Sequence, residues 1–404
     1  MLKLRIKSDS ILFLVICIAC GHFLVDFMLS IWPVYKTMVR IDLAVASIVA
    51  ALAIASGELM QVFFGKLIDQ GYQRYLLIAG PLFAASSAFF PYTNNIYVFL
   101  LILFFTAIGS AAFHPTAASI LGGIHSSKKF LLLGIFQAAG MVGMGVGQFC
   151  FTQTFFNLSG HTMVLAIPAI LLGVVVIGLS HGHLKKETHH KEPVSLKVAF
   201  RFFREKYLRS LYFIQLGHQT LFWAVIFLLP DILLKRNYDT WITYGGGHFF
   251  WMIGSGVSCL LFGYLSHIIS PVKIILNCYI AAFILFFLFM SVPTMSEPVV
   301  LSTLFGIGLM LGGLNPLSIA LGVSHVPNNR GMVSAFLMGF VWIISEGLGI
   351  GLSCILADFF EENGPEKSLL IIGTIAFIPG VISAFKLFRM GSKKEDTAIE
   401  KIEE

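Results

Sequence analysis

About twelve apolar runs, each long enough to cross a bilayer, recur along this chain of 404 residues. They cover 11–35, 43–67, 75–93, 95–122, 130–153, 161–181, 208–234, 241–265, 271–292, 297–322, 331–357 and 367–388. Only 12% of the residues are charged and 57% are hydrophobic, with a mean hydropathy of +0.86. A soluble core needs far less apolar sequence, so hydrocarbon is the solvent these runs suit. In hydrocarbon every backbone N–H and C=O must be satisfied within the segment, which for runs of this length means helices. The expected fold is an all-α membrane protein of twelve transmembrane helices.

The break between the sixth and seventh runs differs in kind. Residues 182–207 form a basic linker holding Lys185, Lys186, Lys191, Lys197, Arg201, Arg204 and Lys206. It divides a first six-helix half, 1–181, from a second, 208–388, with a charged tail, 389–404, read as disordered. Lys and Arg crowd the loops on the side of the two termini, by roughly four to one, which predicts both termini in the cytoplasm. The net charge of +6 is therefore a topology signal and calls for no nucleic acid. Four linker histidines offer a metal site, but a flexible basic tether beside anionic lipid is the stronger reading. The six Cys lie singly or inside a helix, as packing residues do, without a zinc or disulfide framework. The basic N-terminus leads into an uncleaved first helix.

The halves read as diverged copies. Gly21-His22 before Trp32-Pro33 recurs as Gly217-His218 before Leu229-Pro230. Phe64-Gly65 recurs as Phe262-Gly263, and His114-Pro115 as Asn315-Pro316, all about two hundred residues apart. Several coincidences in one register predict a pseudo-symmetric six-plus-six bundle with a central cavity.

Polar residues inside such runs mark the chemistry. The fourth run carries His114, the bend-forming Pro115 and a small-residue face, Gly109, Ser110, Ala111 and Ala112. His22 and Asp26 lie four apart and share one helix face. Desolvation disfavours a charged carboxylate, so a buried acid can exchange a proton near neutral pH. Asp26 is the expected proton site, with His22 as its partner or a substrate ligand. The alternatives are a packing hydrogen bond and a metal site completed from another helix. Glu346, followed by Gly347, Gly349 and Gly351, and Glu58, beside Gly57, are further coupling candidates; a satisfied packing carboxylate is the bland reading of each. His114 is expected to line the cavity. His218 and Gln219, counterparts of the first-run site, and Asn315, counterpart of His114, supply the second wall. Gly140, Gly143 and Gly147 repeat on one face, where they pack two helices closely and let them slide. Asp69 and Arg74 suit a latch at a helix end that favours the outward-facing state, or a solvated loop pair. Nothing matches a Walker loop, a Gly-x-Ser-x-Gly elbow or His-Glu-x-x-His, so ATP is not the fuel and no enzyme motif stands out.

The chain resembles the major facilitator superfamily, and within it the fosmidomycin-resistance subfamily of drug exporters. Gly21-His22 with Asp26, Gly109-Ser110 through Phe113-His114-Pro115, Phe136-Gln137 with Gly140, Gly143 and Gly147, and Gly331-Met332-Val333-Ser334 carry the resemblance. Gln137 becomes a binding candidate by its place in that motif. Of the superfamily's loop between the second and third spans, Gly65, Asp69 and Arg74 are present. Thr116 stands where the subfamily has an acid, and Gln148 where antiporters have Pro. The resemblance implies proton-driven export of a small molecule across a bacterial inner membrane by alternating access, without cofactor or metal. Such bundles work as monomers. Proton-symport uptake of a metabolite is the alternative. Two others are more remote. One is a membrane-embedded enzyme with a metal among His22, Asp26, His114 and Glu346. The other is a non-transporting receptor.

Overall fold

The structure is a computed structural model that describes residues 8–123, 129–179, 201–326, 333, 336–360 and 362–403; the side chains of Glu58 and Asp69 lie outside the description. Among the described residues there is no strand, and eleven helices are long and apolar enough to cross a membrane. In chain order they are Phe13–Met38, Leu43–Gly65, Gln73–Tyr92, Ile96–Leu121 and Gly134–Asn157, then Lys206–Lys235, Ile242–Leu265, Pro271–Ser291, Glu297–His325, Gly339–Phe359 and Gly364–Met390. Between the fifth and the next stands a shorter apolar helix, Thr162–Gly173, at the place of the expected sixth span. We number the spans first to twelfth with this segment as the sixth.

Two boundaries differ from expectation. The charged tail continues the twelfth helix to Glu403, because no breaker follows Gly391 and helix-favouring Lys and Glu dominate the sequence. Most of the expected 182–207 linker, with its histidines, lies outside the described residues.

The first span packs on the fourth and fifth, the second on the fourth, and the third on the fourth and sixth. In the second half the seventh packs on the twelfth and eleventh, and the eighth on the tenth. The halves meet where the fifth span lies along the eighth and the second along the eleventh. Local geometry repeats with the sequence register. Arg40, after the first span, has φ 56°, and Asn237, after the seventh, has φ 57°. A left-handed turn residue is uncommon outside Gly, so its recurrence at matching loops supports duplicated halves.

Glycines set the closest approaches. A Cβ on Gly109 would lie 2.5 Å from the Gly80 carbonyl oxygen of the third span, as the small-residue face predicts. One on Gly254 would strike the Phe305 carbonyl, and one on Gly308 the Trp251 carbonyl, so the eighth and tenth spans touch backbone to backbone. Two helices widen into π turns: Ile242–Gly246 opens the eighth span and Gly347–Leu352 follows Glu346 in the eleventh. Such turns leave a backbone group out of the regular ladder and recur at functional positions.

Candidate functional site

Gly21 brings the first and fourth spans together: a Cβ there would lie 2.6 Å from Phe113 Cε2. The next residue on each helix is a histidine. His22 Nε2 lies 3.2 Å from Asp26 Oδ2, and His114 Nε2 lies 3.2 Å from Asp26 Oδ1. One carboxylate thus stands between two imidazoles, whose rings meet edge to face at 4.8 Å. His22 and Asp26 are 2% and 3% exposed; the His114 side chain keeps 14%.

The outer nitrogens of both rings are held by main chain. His22 Nδ1 donates to the Phe136 carbonyl at 2.7 Å, and the ring stacks on Phe136 at 3.9 Å. His114 Nδ1 lies 2.9 Å from the Ser110 carbonyl and 3.0 Å from Ser110 Oγ on its own helix. The fifth span closes the other side. A Cβ on Gly140 would lie 2.5 Å from His22 Cε1, with Asp26 Oδ2 nearer still. Cβ atoms on Gly143 and Gly147 would strike the Phe23 and Phe27 carbonyls. These three glycines are the groove in which the first span lies. From the second half, Trp342 meets His114 edge to face at 6.3 Å, and Glu346, four residues on, is buried.

The structure therefore brings together His22, Asp26 and His114, and sets Gln137, half-buried, directly after the residue whose carbonyl holds His22. Among the described residues these three are the group of His, Cys, Asp and Glu side chains close enough to share one cation, with donor atoms within 4.8 Å of one another.

In the second half Gln215 donates its amide to Asn315 Oδ1 at 2.6 Å, so the counterpart of His114 is bonded within its own half. His218 is buried, and among the described residues neither ring nitrogen has a hydrogen-bond partner; Gln219 is buried too. The second half thus has no carboxylate at the place of Asp26, where Phe222 stands four residues after His218. Of the loop candidates, Gly65 faces open space, as does its counterpart Gly263, and Arg74 is half-buried. The candidates Glu58 and Asp69 fall outside the described side chains.

Sequence reasoning missed a second polar cluster. Lys36, 1% exposed, pairs with Asp231 of the seventh span and lies 4.6 Å from the Phe227 ring centroid. Thr37 Oγ1 donates to Asp231 Oδ1 at 2.8 Å. Thr152 of the fifth span bonds the Tyr244 carbonyl of the eighth nearby along the same face of the bundle. The signal was present: Lys36 and Asp231 follow the paired prolines Pro33 and Pro230. Gln148 is fully buried with neither amide atom partnered among the described residues, and buried His248 is likewise unpartnered there.

Comparison with known proteins agrees with this architecture. The Major Facilitator Superfamily profile matches residues 11–350. An uncharacterized MFS-type transporter of Methanocaldococcus jannaschii is 24% identical over 381 residues, covering 90% of this chain and 95% of that protein. The fold is similar to that of a bacterial homologue of the human lysosomal transporter Spinster, in an inward-facing and unoccupied conformation. The TM-score is 0.66 at 14% identity, over 93% of this chain and 97% of that one. The nucleoside transporter NupG, as a point mutant, gives a TM-score of 0.69 at 14% identity, over 93% and 99%. A profile match across most of the chain, on a bundle of this design, means that the chain belongs to the major facilitator superfamily of membrane transporters, and it is a transporter rather than an enzyme.

Proposed function

We propose that this transporter exports a small molecule, driven by protons, through a central site built on His22, Asp26 and His114. The observation that carries this reading is one buried carboxylate held between two imidazoles, 3.2 Å from each. Imidazole is the side chain whose ordinary titration falls nearest physiological pH. Proton binding and substrate binding then compete for one place, and each favours the opposite tilt of the halves. Glu346 and Glu58 assist in coupling. Gln137, His218, Gln219 and Asn315 contribute to the substrate's walls. Gly140, Gly143 and Gly147 form a sliding seam, and Gly65, Asp69 and Arg74 act at the cytoplasmic gate. The chain works as a monomer in a bacterial inner membrane with both termini cytoplasmic, as the Lys and Arg distribution supports. In that orientation the Lys36–Asp231 pair ties the two halves at the outer face.

The direction of transport is tested by growth of a hypersensitive bacterial host across a panel of toxic small molecules that includes fosmidomycin. Resistance that is lost with Asp26→Asn or His114→Ala, at unchanged membrane expression, is the expected result. Undiminished uphill transport by Asp26→Asn would remove proton coupling at this site. Greater sensitivity to a metabolite analogue would turn the reading to proton-symport uptake, which Thr116 at the subfamily's acidic position and Gln148 at the antiporters' Pro position leave open.

A further inference from the structure

We infer, building on the reading of this cluster as the central site, that His22, Asp26 and His114 bind one divalent transition-metal ion of the zinc class. The three side chains offer two imidazole nitrogens and a carboxylate. Zinc-class ions take that donor set, whereas magnesium and calcium prefer oxygen alone. The spacing suits such an ion. His22 Nε2 and His114 Nε2 each stand 3.2 Å from an oxygen of Asp26. Donors about 2.0 Å from a tetrahedral centre stand about 3.3 Å from one another. All three donor atoms lie within 4.8 Å of one another, a span that a small turn of either ring draws in.

The surroundings supply what an ion needs. A metal-bound imidazole ordinarily gives its other N–H to a carbonyl or carboxylate, which fixes the ring. His22 Nδ1 lies 2.7 Å from the Phe136 carbonyl of the fifth span, and His114 Nδ1 lies 2.9 Å from the Ser110 carbonyl. An ion at Nε2 selects the tautomer with its hydrogen on Nδ1, and the Ser110 hydroxyl, 3.0 Å from the same nitrogen, turns its own hydrogen aside. Asp26 is 3% exposed, and its Oδ1 has no hydrogen-bond partner among the described residues. A buried carboxylate oxygen left in that way is costly. Among the described residues no Lys or Arg pairs with Asp26. A cation between the rings and the carboxylate satisfies that oxygen and both Nε2 lone pairs together.

One side of the site is open. A Cβ on Gly140 would meet both His22 and Asp26, so the fifth span closes that flank. The side chains of His22 and Asp26 are 2% and 4% exposed, and that of His114 is 14% exposed. The way in therefore passes His114, beside the edge of Trp342 from the eleventh span. The fourth coordination position faces that opening and takes water or a donor atom of the transported molecule. The ion and the coupling proton need the same lone pairs, so zinc held there blocks proton-driven export.

The test is calorimetric titration of zinc into the full chain in lipid nanodiscs, with any purification tag removed and after dialysis against EDTA and then metal-free buffer. One zinc per chain is expected at this site. His22→Gln, His114→Gln and Asp26→Asn should each weaken it by more than about a hundredfold, since outer-shell partners alone account for about ten- to a hundredfold. Undiminished binding by His114→Gln would overturn the ion site. Loss of binding when His181, His183, His189 and His190 of the linker are replaced by Ala would overturn it too, as would displacement by excess magnesium. If the cluster variants do not fold, X-ray absorption at the zinc edge reads the ligands in the linker variant, where His22, Asp26 and His114 are intact. Two imidazoles and no sulfur are expected; a single imidazole or a sulfur neighbour overturns the assignment. The coupling reading fails separately. Zinc bound as described alongside undiminished uphill transport by Asp26→Asn would leave the ion site standing without proton coupling. Proton-driven transport lost in Asp26→Asn, with no zinc bound by the unsubstituted chain, would do the reverse.

Discussion

Lys36 of the first span and Asp231 of the seventh form a buried ion pair that ties the two halves together at one end of the bundle. The ammonium also reaches Thr37 Oγ1 at 3.1 Å and the Phe227 ring at 4.6 Å, so its desolvation is offset by three partners. Removing one partner of a buried pair leaves the other charge uncompensated, at about 3–5 kcal/mol. When the partners sit on bodies that rock apart, much of that cost shifts the conformational equilibrium. Cys354, fully buried in the eleventh span close to Lys36, is a natural reporter. With the other cysteines replaced by Ser, Asp231→Asn is expected to raise its labelling by a membrane-impermeant maleimide more than tenfold, since about 1.4 kcal/mol is a factor of ten. The double reversal Lys36→Asp with Asp231→Lys should restore protection. Unchanged labelling in both would show that the pair does not hold the halves.

The Arg236–Glu366 pair provides the contrast. Arg236 Nε donates to Glu366 at 2.6 Å and its Nη1 to the Phe289 carbonyl at 2.9 Å, with the guanidinium over the Phe289 ring. All three elements belong to the second half. Glu366→Gln should therefore destabilise the protein by about 1.5–3 kcal/mol, the range for a charge-assisted bond, read as a lower melting temperature, without changing Cys354 labelling. A rise in labelling would mean that this clamp also senses the tilt of the halves.

Gly140 allows the carboxylate and imidazole of the first span to lie against the fifth. A methyl there has no room beside Asp26 Oδ2, His22 Cε1 and His22 Nε2. Gly140→Ala should cost about 1–3 kcal/mol through overpacking and abolish transport. Gly65→Ala is the control, because nothing lies within 4 Å of the added carbon. Its effect on the thermal midpoint should be neutral or slightly stabilising, and any loss of transport would assign that glycine to gating rather than packing.

The Gln215 amide N–H donates to Asn315 Oδ1 in a buried site, and Gln215 Oε1 has no partner among the described residues. Asn315→Leu strands the Gln215 amide and should destabilise the protein by about 1–3 kcal/mol. The double change with Gln215→Met should recover most of that loss, in a thermal melt. If transport also recovers in the double variant, the pair packs the second half; if stability recovers and transport does not, Asn315 touches the substrate.

Much of the fold was legible because bilayer thickness imposes one length on every span and the absence of water imposes the helix. The duplication was legible because paired signatures such as His22 with His218 and Pro33 with Pro230 keep one register, and the matching turns at Arg40 and Asn237 follow it. Helix ends were read less well. The tail continues as helix where disorder was expected, and the expected start of the eleventh span at 331 lies outside the described residues. Composition speaks to burial, and burial does not decide where the tail helix ends.

Within the site, the i, i+4 spacing of His22 and Asp26 was enough to put both on one face, and hydrocarbon was enough to mark His114 as costly. That one carboxylate serves both rings was not legible. It depends on Gly21 against Phe113 and Gly140 against Asp26, contacts between residues far apart in the chain. The Lys36–Asp231 pair was hidden for the same reason: 195 residues separate its partners, and each alone reads as a charge near a helix end. Sequence determined which residues cannot rest in lipid unaided. Only the tertiary structure decided which of them satisfy one another, because partner choice follows from the distance and angle at which packed helices cross, and no spacing along one helix encodes that.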